Sequence, residues 1–243
     1  MGGEAIARTD SFADLESDAA AIIKAAVDHF GRIDILIHNA GAISAADLAD
    51  MTTADFDAVV RVHQDGAFQL VRRAFPIMGA SGYGRIVLSS SFCGIYGCMR
   101  QANYATAKAG VIGLSNVAAL EGAARGIKCN IILPTAAIRL GAGRDMAGYP
   151  MKSDAIAPAV GWLSHESCTM SGEMLIAAGG RIAKAFLRET PGVYRPEWTV
   201  EDVAQQIEAI CAQDTPVGFP VLPNGHNAHI DYSYEMGRSW AAQ

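Results

Sequence analysis

Residues 85–108 read RIVLSSSFCGIYGCMRQANYATAK, and their order decides the fold. Arg85-Ile86-Val87-Leu88 is a short apolar run of the kind that forms a buried strand. It enters the turn Ser89-Ser90-Ser91, and from Ala102 a stretch of small residues predicts a long helix to Ala124. A strand, a loop and a covering helix make up the repeating unit of parallel α/β sheets.

Outward from this stretch the same alternation continues. Glu4 to Thr9 is expected to be a strand, followed by a helix from Ala13 to Phe30 that Gly31 ends. Ile33 to Ile37 reads as a buried strand stopped at Asn39-Ala40-Gly41. Thr52-Thr53 supply N-cap chemistry for a helical region reaching Met78, with a break near Gly66. Ile127 to Leu133 is another strand, closed by Pro134. A loop with Gly141, Gly143 and Gly148 leads to a helix from Ile156 to Leu163 and a last strand at Met174-Leu175-Ile176. After Gly179-Gly180 the pattern changes. Thr199 and Asp202 form a capping-box pair opening one helix to about Cys211. The tail from Asp214, with Pro216, Pro220, Pro223 and Gly225, reads as irregular surface chain. Residues 1–184 are therefore expected to form the sheet domain and 185–243 a C-terminal extension.

Composition bounds the function classes. Hydrophobic residues are 51% and charged residues 18%, enough apolar material for a core and too little charge for disorder. The net charge of −6 provides no basic stripe for nucleic acid or an anionic membrane. No apolar run approaches the ~18 residues of a membrane span. The start, Met1-Gly2-Gly3-Glu4, lacks a secretory signal pattern, so a cytoplasmic location is the default expectation. Cys93, Cys98, Cys129, Cys168 and Cys211 show no CxxC pair, which favours reduced thiols; Cys93 and Cys98 read as small apolar fillers. His226 and His229 have no third ligand nearby and no predicted helix, so no metal is expected.

Tyr104 and Lys108, four residues apart, share one helical face. A free tyrosine, with a pKa near ~10, is a poor acid or base at neutral pH, and a nearby ammonium favours its phenolate. That pair alone arises by chance on many helices. Ser91 precedes Tyr104 by thirteen residues and ends a strand, the edge of an α/β sheet where ligands bind. Ser89 and Ser90 read as turn-satisfying side chains. Asn39-Ala40-Gly41 occupies the same edge one strand earlier, with small residues that leave room for a cofactor. His63 admits two readings, a proton relay or a packed side chain.

Together these residues resemble the short-chain dehydrogenase/reductase family. The match runs from Gly2 to about Lys184 through Phe30-Gly31-Arg32-Ile33-Asp34, Asn39-Ala40-Gly41, Ser91, Gln101-Ala102-Asn103-Tyr104 and Lys108. Arg61-Val62-His63, Gly94-Ile95-Tyr96-Gly97 and His165-Glu166-Ser167-Cys168 are similar to the (3R)-hydroxyacyl-CoA dehydrogenase branch, that of multifunctional enzyme type 2 and its bacterial relatives. The resemblance implies a Rossmann-type doubly wound parallel sheet and hydride transfer with NAD, NADP being left open. It implies a 3-hydroxyacyl-CoA-like substrate and a homodimer or homotetramer. Tyr104 would be the general acid/base, Lys108 would lower its pKa and hold the ribose, and Ser91 would orient the substrate oxygen. His63 stands where most of the family has Asn. Asn39, Ala40, Gly41, Tyr104, Lys108 and Pro134 would touch the cofactor.

Two departures stand against this. Gly2-Gly3-Glu4-Ala5 aligns with the third strand of the family pattern, leaving unrepresented two βα units of ~30 residues each. These include the Gly-rich turn that receives the pyrophosphate and the residue that selects NAD or NADP. A misplaced reading start, a shortened piece or a natural remnant would each account for it. Cofactor binding is then expected to be impaired, and the first strands rearranged, supplied by another chain or stabilised across an oligomer. The second departure is Pro134-Thr135-Ala136-Ala137-Ile138-Arg139-Leu140, which lacks the later Thr that grips the carboxamide. Arg139 reads as a surface residue or as one facing an acyl-CoA phosphate. Two rival functions stay open: a non-catalytic remnant serving binding or assembly, and a steroid or acyl-carrier-protein ketone reductase.

Overall fold

A computed structural model of the chain describes residues 3–9, 14–135 and 152–241. The chain divides into two compact units, Met1–Lys184 and Ala185–Gln243.

The first unit is built on a five-stranded sheet ordered β1 (Ile35–His38), β2 (Gly84–Ser89), β3 (Ile127–Thr135), β4 (Met174–Ala178) and β5 (Arg181–Ala185). The first four strands pair in parallel, with Ile37 opposite Val87, Ile86 opposite Cys129 and Ile132 opposite Leu175. Every residue of β2 is buried, as expected for a central strand covered on both faces. This is the Rossmann-type doubly wound arrangement.

The helices form because their ends are capped and one face is apolar. In α1 (Leu15–Phe30) the Asp14 side chain accepts the Ser17 N–H, and Gly31 closes the helix at φ 76°. Leu15, Ala19 and Ile23 are its buried stripe. Thr52 caps α2 (Thr53–Val60), a π-helical turn spans Arg61–Asp65, and α3 (Gly66–Ser81) continues from Gly66. The expected break near Gly66 is this wide turn. On the other face, α6 (Ala157–Ser164) buries Ala159 and Leu163 against Val87, Ile132 and Leu175. Each large side chain so buried contributes about 1.5–3 kcal/mol.

Glu4 to Thr9 forms no strand. The sheet begins at β1, whose outer edge pairs with nothing described, so this segment has no ladder to join. Glu4 instead meets His29 at 2.7 Å beside the end of α1. Across β1, Leu36 and His38 are buried while Ile35 and Ile37 remain 46% and 47% exposed. At the far side, Gly179 and Gly180 both take positive φ and turn the chain into β5, a strand the sequence pattern did not announce.

In the second unit the capping box is present: Thr199 and Asp202 satisfy each other's backbone at the start of α7 (Val200–Ile210). The irregular tail is a correction, because residues His226–Ala241 form a further helix, α8. The prolines at 216, 220 and 223 all precede it, and its aromatic residues anchor it: Tyr232 donates to the Pro191 carbonyl and Trp240 packs on Tyr194. His226 and His229 therefore lie on a helix. His229 faces Glu189 at 3.1 Å, and no metal-holding group of His, Cys, Asp or Glu occurs among the described residues. Nor is any helix among them long and apolar enough to cross a membrane.

Candidate active site

Because β1, β2 and β3 are parallel and in register, their carboxyl ends lie together. His38 is opposite Leu88, and Ser89 opposite Ile132, so the turns after Asn39, Ser89 and Pro134 share one edge. Ser89 donates to the Asn39 side chain at 2.7 Å, tying the first two turns together. Ser90 donates to the Lys108 carbonyl at 2.7 Å, which docks the start of α5 (Ala102–Gly122) on the end of β2.

Ser91 opens a loop held by a short turn, α4 (Cys93–Tyr96). The Cys93 N–H donates to Ser91 Oγ at 3.2 Å, leaving the hydroxyl proton for another acceptor. Gly94 lets this turn lie directly on α5: a Cβ there would fall 2.7 Å from the Ala109 nitrogen and the Lys108 carbonyl carbon. Cys93 and Cys98 are joined in a disulfide, which corrects their reading as separate reduced fillers. The α4 turn and Gly97 at φ 74° fold the loop back until the two Cα atoms are 5.0 Å apart. Cys129 and Cys168 are free and buried, and Cys211 is free and exposed.

Tyr104 and Lys108 project from the first turns of α5, with the Lys108 Nζ 5.6 Å from the Tyr104 ring centre. Burial pushes the Tyr104 phenol above its ordinary value, and a hydrogen bond from Ser91 pulls the other way. Lys108 is buried, and that burial brings its ammonium down to about 8. Its Nζ donates to the Ser89 carbonyl at 2.5 Å, one of three available N–H groups.

His63 lies in the π-helical turn and is 2% exposed. Its Nε2 is 2.8 Å from the Ala42 carbonyl and 3.1 Å from the Ala42 nitrogen, so either tautomer finds a partner there. Burial, helped by the charge of Lys108, lowers its pKa to about 4, so the ring is neutral near pH 7. Its ring also occupies the space a Cβ on Gly41 would need, so the room left by that glycine is filled from within the protein.

Three buried polar residues were given no role by the sequence: Asn103 and His38 near this edge, and Arg85 at the opposite, amino end of β2. Asn103 is fully buried, donates to the Ser44 and Asp55 carbonyls at 3.0 Å each, and accepts the Tyr104 N–H at 2.7 Å. His38 is buried at the end of β1, its ring making no well-formed hydrogen bond and meeting only the Val62 backbone, and its pKa falls to about 4, mainly through burial. Arg85, read only as a strand residue, is buried and donates to the carbonyls of Gly84, His165 and Glu166. Only Asn103 left a signal, its place beside Tyr104 at a helix start. The loop from Ala136 to Pro150, including Arg139, lies outside the described residues.

Comparison with known proteins shows the family and the fold. The family model for short chain dehydrogenase matches residues 3–138. Peroxisomal multifunctional enzyme type 2 of Drosophila melanogaster is 41% identical over 80% of this chain and 32% of its own length. A short-chain type dehydrogenase/reductase of Mycobacterium tuberculosis is 35% identical over 84% of this chain and 72% of its own. The solved full-length Drosophila enzyme superposes with a TM-score of 0.80 at 31% identity, covering 97% of this chain and 42% of that one. The chain thus spans about a third of the length of that first relative, whose name carries the word peroxisomal where a cytoplasmic location was expected here. On the sheet order, the Ser91, Tyr104 and Lys108 cluster and these matches, the chain belongs to the short chain dehydrogenase family.

Proposed function

We propose that this chain is an oxidoreductase that interconverts a secondary alcohol and a ketone on 3-hydroxyacyl-CoA-like substrates with NAD, NADP being the alternative donor. The observation that carries the reading is the convergence of Ser91, Tyr104 and Lys108 at the carboxyl edge of the sheet. The relatives named multifunctional enzyme support the substrate class.

Bound there, the nicotinamide supplies or accepts the hydride. The residues that would hold its ribose end are Lys108, which has N–H groups beyond the one given to Ser89, with Asn39, Ala40 and Pro134 following or ending neighbouring strands at the same edge, while His63 takes the space beside Gly41. Among the described residues none is assigned to its phosphate end; the first turn of α1 carries Glu16 and Asp18.

The protein's own steps follow from the hydrogen bonds. Ser91 receives the Cys93 N–H and turns its proton toward Tyr104 or the substrate oxygen. Tyr104 Oη takes the proton from the substrate hydroxyl on oxidation and returns it on reduction. By the family resemblance the Lys108 charge would favour the phenolate that this requires, against the burial that holds the Tyr104 phenol above its ordinary value. His63 stays neutral and acts as a wall and hydrogen-bonded brace for the Tyr104 ring.

The test is reduction of NAD by the full chain given a (3R)-3-hydroxyacyl-CoA, followed by the absorbance of reduced nicotinamide. Turnover that Tyr104→Phe abolishes is the expected result. Failure to bind either nicotinamide cofactor in a fluorescence titration overturns the reading. It would favour the second one, a binding or assembly protein, for which the specific observation is the edge of β1 that pairs with no described strand. A steroid or acyl-carrier-protein ketone as preferred substrate would move only the substrate class.

A further inference from the structure

The disulfide between Cys93 and Cys98 stands inside the segment that runs from Ser91 to Tyr104. Its two ends have different surroundings. Cys93 begins the turn that Gly94 seats on the backbone of Lys108 and Ala109, and its N–H holds Ser91 Oγ. Cys98 lies in the exposed half of the loop, where Met99 is 91% exposed. That half has few other ties. The Arg100 carbonyl accepts from the Ala46 N–H at 3.0 Å, the Arg100 side chain is near Asp47, and the Gln101 N–H reaches the Cys98 carbonyl at 3.3 Å. Arg100 also holds φ 64°, a left-handed conformation that a residue with a Cβ adopts at a cost. One covalent bond therefore links an anchored half-loop to a loosely held one.

We propose that Cys93 and Cys98 are a reversible thiol–disulfide clasp, open to small thiols and disulfides, that sets the position of residues 97–100 in the loop joining Ser91 to Tyr104. The exposure of Cys98 makes it the sulfur that reacts first. With a small disulfide such as oxidised glutathione, the Cys98 thiolate attacks one sulfur and releases one glutathione thiolate. The Cys93 thiolate then attacks the Cys98 sulfur, forms the internal S–S bond and releases the second. The protein loses two protons and two electrons, and the glutathione disulfide gains them. Reduction runs the same exchanges backwards. The ring closed is short, so its effect is on the local loop more than on the stability of the whole fold. Because Gly94 and the Cys93 N–H anchor Ser91 in either state, opening the clasp is expected to raise KM while leaving kcat close to its closed value. That last link to the site rests on the oxidoreductase reading above.

The experiment uses the full chain carrying Cys211→Ser, so that the exposed thiol does not compete. The protein is equilibrated in reduced and oxidised glutathione mixtures, and the thiol state is read by mass spectrometry after alkylation. Amide hydrogen exchange is followed for peptides covering residues 92–103. The expected result is an internal Cys93–Cys98 bond under oxidation, several-fold slower exchange of residues 97–100, and unchanged exchange in β2. Cys98→Ser on the same background should exchange at the fast rate in both buffers. A stable glutathione adduct on Cys98 with no internal bond overturns the clasp, as does equal exchange in the two states. If the exchange differs but no hydroxyacyl-CoA is turned over, the clasp stands and the oxidoreductase reading fails. If turnover occurs with the same KM in both states, the link from clasp to site fails.

Discussion

The His63 ring meets the Tyr104 ring edge-on, 5.1 Å between centres and 84° between planes. A buried neutral imidazole thus braces the phenol proposed to move the proton. His63→Ala would remove that wall and leave the Ala42 backbone without its partner. We expect a stability loss of about 2–3 kcal/mol, typical of a large-to-small change in a packed site, together with a lower kcat. Denaturant unfolding and steady-state kinetics check both. An unchanged kcat would mean that Tyr104 is positioned by α5 alone.

The two buried histidines make the fold acid-sensitive. His38 and His63 both fall to about 4 from an ordinary 6.5. Between those values the unfolded chain binds protons that the folded chain does not, so stability falls as pH drops from about 6.5 to about 4 and levels off below. Each histidine contributes of the order of 2–3 kcal/mol to that fall. Lys108 and His63 are the charged or titratable groups acting on His38. Thermal unfolding measured across this window should show the slope, and His38→Asn should about halve it, His63 supplying the rest.

Lys108 has the opposite relation to stability and activity. Its ammonium is buried, and its pKa is down to about 8 from 10.5, so the charged form costs the folded state about 2–3 kcal/mol below pH 8. That cost disappears as pH rises from about 8 to about 10.5. Lys108→Met is therefore expected to raise the melting temperature at pH 7 while removing activity, with the gain shrinking at pH 10. A lowered melting temperature at pH 7 would show that the Ser89 carbonyl bond outweighs the burial cost.

Asn103 is expected to matter through Tyr104. Asn103→Ala strands the Ser44 and Asp55 carbonyls and frees the Tyr104 N–H, a loss of about 2–3 kcal/mol for several buried hydrogen bonds. Asn103→Asp keeps the acceptor for Tyr104 and loses both donors. If Asn103 positions the helix start, Asp should restore part of kcat relative to Ala. Equal kcat in the two variants would assign it to stability alone.

The outer edge of β1 carries Ile35 and Ile37 half-exposed beside backbone groups that pair with no described strand. Such an edge favours association with another strand. Ile37→Lys should lower the sedimentation-average mass at a given concentration, and an unchanged mass distribution would remove this edge from the association.

Much of the site was legible because its residues are close in sequence. Ser91, Tyr104 and Lys108 fall on one strand–loop–helix unit, where strand direction and helical periodicity fix which side chains share an edge. Asn39-Ala40-Gly41 and Pro134 were legible as the ends of neighbouring strands. What escaped depends on chain segments far apart. Arg85 is explained by the His165 and Glu166 carbonyls, eighty residues away, and Asn103 by Ser44 and Asp55. The expected strand at Glu4 to Thr9 failed because pairing needs a neighbour, which no local propensity supplies. The tail helix was not legible because it buries no side chain fully and is held by Pro191 and Tyr194, far away in sequence.

The sequence by itself determined the parallel sheet, its helical cover and the place of Ser91, Tyr104 and Lys108, because these follow from local periodicity and turn chemistry. Only the tertiary structure decided the state of the groups around them. It buried Lys108, His38 and His63 and so lowered their pKa values, since burial disfavours charge wherever the rest of the chain excludes water. It also folded the loop after Ser91 on Gly94 and Gly97, bringing Cys93 and Cys98 within bonding reach, a proximity that their five-residue spacing left open.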